Sequence, residues 1–472
     1  MKMFIGGEWK DKSEKIDVLN PFDGSVVDTV PRGDAADVDE AIAGAVRGAA
    51  ITRKIPAFDR AQMLRKAADL MLEQQEELAK IVSSEEGKIL AEGRVESVRA
   101  AEIIQLSAEE AKRLRGEVLP LDGAPGSTGK FGFTIRVPCG VVAAVTPFNF
   151  PLHLVCHKVG PALAGGNAVI VKPASDTPLS ALKLVEILLE AGVPPLAITC
   201  ITGSGGQVGD TLCGDKRVRK ISFTGSYEVG DHICRTAGMK KVTMELGSNA
   251  PLIVMDDADL QKVAEVTAMT GFSNSGQVCI STQRIYVDDK VHDEFLSELT
   301  PRVEAITTGD QLADGTKMGP MIRESDAARV HEWIGEAVNA GARLVIGGSR
   351  EGSVVQPTIL DEVDPKMRIS CNELFGPAVG ITRFTDIDAA IAQANDTDYG
   401  LSAAIFTQDL DRAMQFAQEV ESGNIHINWG TQWRADLMPY GGLKDSGMGK
   451  EGPSYAVEEM TETKMVVMHL KS

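Results

Sequence analysis

The sequence predicts an α/β protein organised around parallel, doubly wound sheets. Three observations carry this expectation: strand-like and helix-like segments alternate strictly between Val141 and Leu246, a second α/β pattern runs from about Pro251 to Ile427, and 472 residues suffice for two or three domains with large cores.

Residues 1–30 read as short strands and turns, with Asn20-Pro21 and Asp23-Gly24 as turn signals. From about Asp37 to Arg115 apolar residues recur at three- and four-residue spacing, as in MLRKAADLMLEQQEELAKIV, which is the pattern of amphipathic helices. Gly116 to Pro138 breaks that pattern, being rich in Gly and Pro and then strand-like. In the regular region VVAAVTPF, NAVIVKPA, AITCITG, VRKISFTG and KKVTMEL read as strands. Between them HLVCHKVGPALAGG, TPLSALKLVEILLEAG, GQVGDTLCGD and SYEVGDHICRTAG read as helices. Such a sheet binds ligands at the carboxyl ends of its strands. The chain closes on apolar, strand-like KMVVMHL, and a terminal strand with no turn back invites pairing with another subunit.

A formal charge of −19 argues against nucleic acid or an anionic membrane as the main partner. It leaves room for an anionic cofactor, because helix N-termini and a few lysines bind phosphate inside acidic proteins. No apolar leader opens the chain and no run of 18 apolar residues occurs, so neither a signal peptide nor a membrane span is expected. Seven cysteines without CxxC spacing fit a reducing, cytoplasmic setting.

The stretch GFSNSGQVCISTQR (271–284) is small and polar, and leaves the thiol of Cys279 accessible. Thirty-four residues earlier Glu245 ends a β-rich run. A lone cysteine is ordinarily a small core residue, but a cysteine in a polar loop with a carboxylate at a strand end is the layout of a nucleophile and its general base. Three turns compete for phosphate: GSGGQVG (203–209), FTGSYEVG (223–230), where Gly225 and Ser226 open a helix, and VKPAS (171–175), where Lys172 and Ser175 can face a ribose or its phosphate. The first two also read simply as tight turns between a strand and a helix.

Taken together, TPFNFP (146–151), VKPAS (171–175), FTGS (223–226), MELG (244–247), GQVC (276–279), ELFGP (373–377) and PYGGLKDSG (439–447) resemble the aldehyde dehydrogenase superfamily, over essentially the whole chain. The resemblance implies Cys279 as nucleophile, Glu245 as general base and Asn149 as side-chain donor to the oxyanion. It implies a coenzyme held by Lys172, Ser175, Gly225, Ser226, Glu373 and Phe375, with Thr146, Pro147, Phe148 and Leu246 at the same site. The implied fold is two Rossmann-like α/β domains plus a small β oligomerisation arm: a coenzyme domain (1–118 and 139–247), a catalytic domain (248–455) and the arm (119–138 and 456–472). A homodimer or homotetramer follows. Coenzyme-A-acylating relatives generally lack the carboxylate, so Glu245 favours release of a free acid.

Two positions depart from the family's pattern. Ser248 stands where a second glycine usually follows MELG, and Ser175 stands where strictly NAD-preferring members often carry a glutamate. The second change removes repulsion against a 2′-phosphate and favours NADP, or dual use, over NAD. The substrate tunnel would draw on His157, eight residues after Asn149, and on Trp433 and Arg434 in NWGTQWRADLMPYGG. Arg434 suits a substrate carboxylate, phosphonate or sulfonate. His153 and His157 lie one helical turn apart but have no third ligand in view, so no metal is expected. The pattern resembles the lactaldehyde, non-phosphorylating glyceraldehyde-3-phosphate, phosphonoacetaldehyde and succinic semialdehyde branches. Val278 replaces the arginine that several phosphate- or phosphonate-using members place before the nucleophile, which points to a small hydroxylated or carboxylated aldehyde. The rival readings are a coenzyme-A-acylating dehydrogenase, a thiol esterase using Cys279 and Glu245, and a non-catalytic protein that keeps the fold.

Overall fold

The computed structural model describes residues 1–470. Its first sheet has eight strands in the order Glu8–Lys10, Met3–Ile5, Ile198–Cys200, Ala168–Lys172, Val141–Val145, Val218–Thr224, Lys241–Glu245 and Gly447–Met448. The five central strands are parallel and the flanking ones antiparallel. VVAAV and AVIVK are buried along their whole length, as strands covered by helices on both faces must be. Their register matters for function. Val145 lies opposite both Lys172 and Phe223, and Thr224 lies opposite Glu245, so the carboxyl ends are nearly flush.

The predicted helical region resolves into Ala35–Thr52, Ala57–Glu73, Gln75–Glu86 and Leu90–Ala111. The last of these packs along His153–Ala164, the helix that follows the first central strand. GQVGDTLCGD differs from the expected regular helix: it forms a wide π-type turn, Gly205–Gly209, and a single α-turn, Asp210–Gly214. The four glycines among residues 205–214 weaken a helix by roughly 1 kcal/mol each relative to alanine.

The second sheet has seven strands: Arg343–Ile346, Thr358–Asp361, Ala378–Phe384, Arg284–Asp288, Pro251–Val254, Ser402–Phe406 and Asn424–Ile427. All neighbours are parallel except the first pair. The segment following it reaches back, since Gly447–Met448 extends the first sheet and the helix Pro453–Glu459 packs on His153–Ala164.

The terminal strand corrects one expectation. Thr461–His469 does turn back, pairing antiparallel with Lys130–Pro138 of its own chain over nine residues, while Val118–Leu119 closes the other side. Among the described residues no helix is long and apolar enough to cross a membrane.

Candidate active site

The loop carrying Cys279 begins where the helix Leu260–Phe272 ends, and it turns through three consecutive left-handed residues, Asn274, Ser275 and Gly276. For Asn and Ser this conformation costs about 1–2 kcal/mol each, and buried contacts offset it. Glu92 accepts from Ser273 Oγ at 2.8 Å and Asn274 N at 3.0 Å, Asn274 Nδ2 donates to Glu86 at 2.9 Å, and Ser275 Oγ donates to the Gly319 carbonyl at 2.7 Å. Gly276 admits no side chain, because a Cβ there would lie 2.1 Å from the Gly376 carbonyl oxygen. The loop delivers Cys279 against an apolar cluster of Val278, Ile280, Leu401 and Tyr440. Burial pushes the thiol up to about 12; Glu373 and Glu245 push the same way, while the Tyr440 hydroxyl at 3.3 Å and Arg434 oppose them.

Asn149 Nδ2 donates at 2.8 Å to the carbonyl of Gln277, two residues before the cysteine. Its own carbonyl accepts from Lys88 Nζ at 2.7 Å and from Asn274 Nδ2 at 3.3 Å. Lys88 is paired in turn with Glu96 at 2.6 Å, whose other oxygen accepts the backbone N–H groups of Leu152 and His153 where the next helix begins. A buried ionic network thus fixes the segment that presents the amide.

Glu245 is the last residue of its strand, and neither of its buried carboxylate oxygens has a hydrogen-bond partner. Gly441 faces it so closely that a Cβ there would lie 2.7 Å from Oε1. Burial raises the carboxyl well above its usual range and Glu451 adds to the shift, against Arg434 and Lys158. An unpartnered buried carboxyl within electrostatic reach of a thiol can take a proton from it or from a water between them.

The predicted coenzyme residues gather at the flush carboxyl edge of the first sheet. Lys172 is 6% exposed, its Nζ donates to the Pro173 carbonyl at 3.0 Å, and burial lowers it to about 8. Among the described residues no carboxylate oxygen lies within 4.0 Å of that ammonium, so it fits a hydroxyl or phosphate ligand. Thr146 Oγ1 beside it is also buried and unpartnered. Ser175 Oγ donates to the Gly203 carbonyl at 3.0 Å, tying the VKPAS turn to the GSGGQVG turn. Ser226 caps the helix Tyr227–Ala237, and Gly225 N donates to the Glu245 carbonyl at 3.0 Å. Across the cleft Glu373, raised to about 7 by burial, accepts from Ser248 N at 2.8 Å. Phe375 meets Phe148 edge-to-face at 5.8 Å. Pro147 is half-buried beside Phe148, and Leu246 packs under Gly230. This donor set fits a dinucleotide.

A cavity of about 460 Å³ opens between the helix Leu90–Ala111 and the loop 434–437, lined by Arg99, Glu102, Leu106, Arg434, Asp436 and Leu437. His157 lies behind its wall. His153 Nε2 and His157 Nε2 share Asp436 Oδ1 at 3.1 and 3.4 Å, and Arg99 grips the same carboxylate at 2.6 and 3.1 Å. Arg434 bonds His157 Nδ1 and Glu451, both at 3.1 Å, and lies 4.0 Å over the Tyr440 ring. Asp436 is the third group that sequence spacing could not supply beside the two histidines. With two guanidinium groups already compensating its charge, the cluster is a hydrogen-bonded scaffold. Trp433 is half-exposed, packs edge-on against His426 at 6.2 Å, and is not brought to the cavity.

Lys88, Glu96, Arg99, Asp436, Tyr440 and Glu451 escaped the sequence reading. Arg99 and Asp436 are 337 positions apart, so no local spacing links them.

Residues 9–466 match the aldehyde dehydrogenase family. The chain is 46% identical over 468 residues to 3-sulfolactaldehyde dehydrogenase of Priestia megaterium, covering 99% of this chain and 98% of that one. It is 42% identical to succinate-semialdehyde dehydrogenase [NADP(+)] of Escherichia coli, covering 99% and 97%. The crystal structure of NADP-dependent glyceraldehyde-3-phosphate dehydrogenase from Bacillus halodurans complexed with NADP superposes with a TM-score of 0.97 at 37% identity, covering 100% and 99%. The chain belongs to the aldehyde dehydrogenase family and is an oxidoreductase acting on aldehydes.

Proposed function

We propose that the protein oxidises a small anionic or hydroxylated aldehyde to the free carboxylic acid through a thiohemiacetal and a thioester on Cys279. NAD(P) is the coenzyme, and Lys172, Ser175, Gly225, Ser226 and Glu373 hold it. The observation that carries the reading is Glu245, a buried carboxyl with no partner, on the same sheet edge as Lys172 and electrostatically coupled to Cys279.

The Cys279 thiolate attacks the aldehyde carbon; the S–C bond forms and the carbonyl π pair moves to oxygen. Asn149 Nδ2 turns from the Gln277 carbonyl to that oxyanion, with the Cys279 N–H as second donor. Losing one such donor costs about 10²–10³ in rate. The dinucleotide, when bound, supplies the hydride acceptor. Cys279 then carries the acyl group as a thioester. Glu245 takes a proton from water, the oxygen attacks the acyl carbon, and the S–C bond breaks to release the acid. The carboxylate argues for hydrolysis over transfer to coenzyme A.

Arg99 and Arg434, which stand on the cavity wall beside Glu102, Glu109 and Asp436, offer guanidinium donors suited to a sulfonate or carboxylate at the far end of the substrate. The 3-sulfolactaldehyde and succinate-semialdehyde relatives support that class. Val278 before the nucleophile weighs against the phosphorylated alternatives. For NADP over NAD the support is Ser175, together with the NADP-named E. coli relative. The three-stranded arm, its Thr461–His469 edge unpaired among the described residues, would join subunits into a dimer or tetramer. On this reading the first sheet is the coenzyme unit and the second the catalytic unit.

Nicotinamide absorbance during turnover of 3-sulfolactaldehyde, succinic semialdehyde, lactaldehyde and propionaldehyde, each with NAD and NADP, tests the reading. Anionic aldehydes should exceed propionaldehyde at least tenfold in kcat/KM, and the signal should vanish in Cys279→Ala. A preference for propionaldehyde would overturn the substrate class.

A further inference from the structure

The geometry assigns a catalytic role to Tyr440: its hydroxyl donates a hydrogen bond to the Cys279 sulfur in the thiolate form and so sets the pH at which the nucleophile is available. This rests on Cys279 being the nucleophile.

The contact is 3.3 Å from Tyr440 Oη to Cys279 Sγ, and among the described residues no other hydrogen bond reaches that sulfur. In the neutral pair either group can donate; once the thiol ionises, only the phenol can. The phenol is well held. Tyr440 is 4% exposed, and its backbone N–H and carbonyl bond Glu451 at 3.1 and 2.7 Å. The Arg434 guanidinium lies 4.0 Å over its ring, pinned by Glu451 and His157. A cation on the ring face draws electron density from the phenol and makes its O–H a stronger donor.

The other groups around the sulfur make this bond consequential. Burial, Glu373 and Glu245 all disfavour the thiolate, and Tyr440 and Arg434 oppose them. Burial, Cys279 and Glu245 also hold the phenol protonated well past its usual range, so it remains a donor throughout the working pH. The same bond assists the second half of the reaction, when sulfur recovers its electron pair as the thioester breaks.

The test is Tyr440→Phe in the full-length enzyme, with iodoacetamide alkylation followed from pH 6 to 10 by mass spectrometry of the peptide containing Cys279. The peptide readout is needed because Cys371 is exposed and also reacts. The profile should move up by about one pH unit, so that alkylation at a fixed pH below the midpoint slows about tenfold. The lower limb of kcat/KM should move with it. An unchanged profile in a variant that keeps its melting temperature overturns the proposal. If that variant does not fold, Tyr440→3-fluorotyrosine serves instead. Its more acidic phenol should shift the profile downward, and no shift overturns the proposal equally. Full aldehyde oxidation by Cys279→Ala would instead sink the nucleophile assignment, whatever Tyr440 does.

Discussion

Lys88 Nζ lies 2.7 Å from the backbone carbonyl of Asn149, so a buried ammonium fixes the residue whose side chain faces the Cys279 loop. Burial pushes Lys88 down, but Glu96 and Glu86 more than offset it, and its pKa ends above the ordinary 10.5. The contribution to stability is therefore fully present below the ordinary ammonium value and is lost only as pH rises through the higher folded one. Lys88→Met leaves both carboxylates uncompensated and should cost about 3–5 kcal/mol in urea unfolding. The double variant Lys88→Met/Glu96→Gln should recover part of that loss. Equal stability of the two variants would mean that the network carries little of the positioning.

Asn149→Ala separates orientation from stability. On the proposed mechanism it removes one oxyanion donor but leaves the Lys88 contact to the main chain, so kcat should fall about 10²–10³-fold with KM changed little. A pure KM effect would place the amide on the substrate elsewhere than at the reacting oxygen.

Glu245→Gln should stall the reaction after the first half. Stopped-flow absorbance would then show one reduced nicotinamide per active site, followed by a steady rate lower by about 10²–10⁴. The pH dependence has a definite sign. Burial raises the Glu245 carboxyl, and a base works only when deprotonated, so deacylation should climb with pH above the usual carboxylate range. It should fall as pH drops through the raised value, and the limb should be absent from the Gln variant.

How much of this was legible in the sequence depends on distance along the chain. Alternating strands and helices were plain because each element carries its own periodicity, and Glu245 was findable because it ends a β-branched run. The GQVGDTLCGD segment reads as a helix and forms one, but its opening π-type turn is a detail that apolar spacing does not announce. The terminal strand's internal pairing lay beyond local periodicity, since its partner begins more than 300 residues earlier, and only the family resemblance set the two segments in one arm. Arg99, Lys88 and Glu96 lie on or before one amphipathic helix, where a charged residue ordinarily reads as solvent-facing. Only folding that helix onto His153–Ala164 turns them inward, and no local pattern announces such a contact.

Ser175 offers a prediction about coenzyme choice. Its hydroxyl is engaged with the Gly203 carbonyl near Lys172, and it brings no negative charge to that end of the site. Ser175→Glu should repel a 2′-phosphate and accept ribose hydroxyls, raising KM for NADP at least tenfold while improving use of NAD. Unchanged selectivity would show that discrimination lies outside the VKPAS turn.

The cavity makes the last prediction, and it concerns what does not titrate. Burial lowers His153 to about 3 and His157 to about 4, and the Asp436 carboxylate they share is already compensated by Arg99 and Arg434. Both imidazoles are therefore neutral at physiological pH, and the cations on the cavity wall are the guanidinium groups of Arg99 and Arg434. KM for succinic semialdehyde should stay flat from pH 5.5 to 8, the window in which an ordinary histidine would lose its charge. Arg99→Met should raise that KM at least tenfold and leave propionaldehyde nearly unaffected. A KM that rises tenfold across the same window would instead mean that His157 binds the anion in its protonated form, and that the pocket's charge is switched by pH.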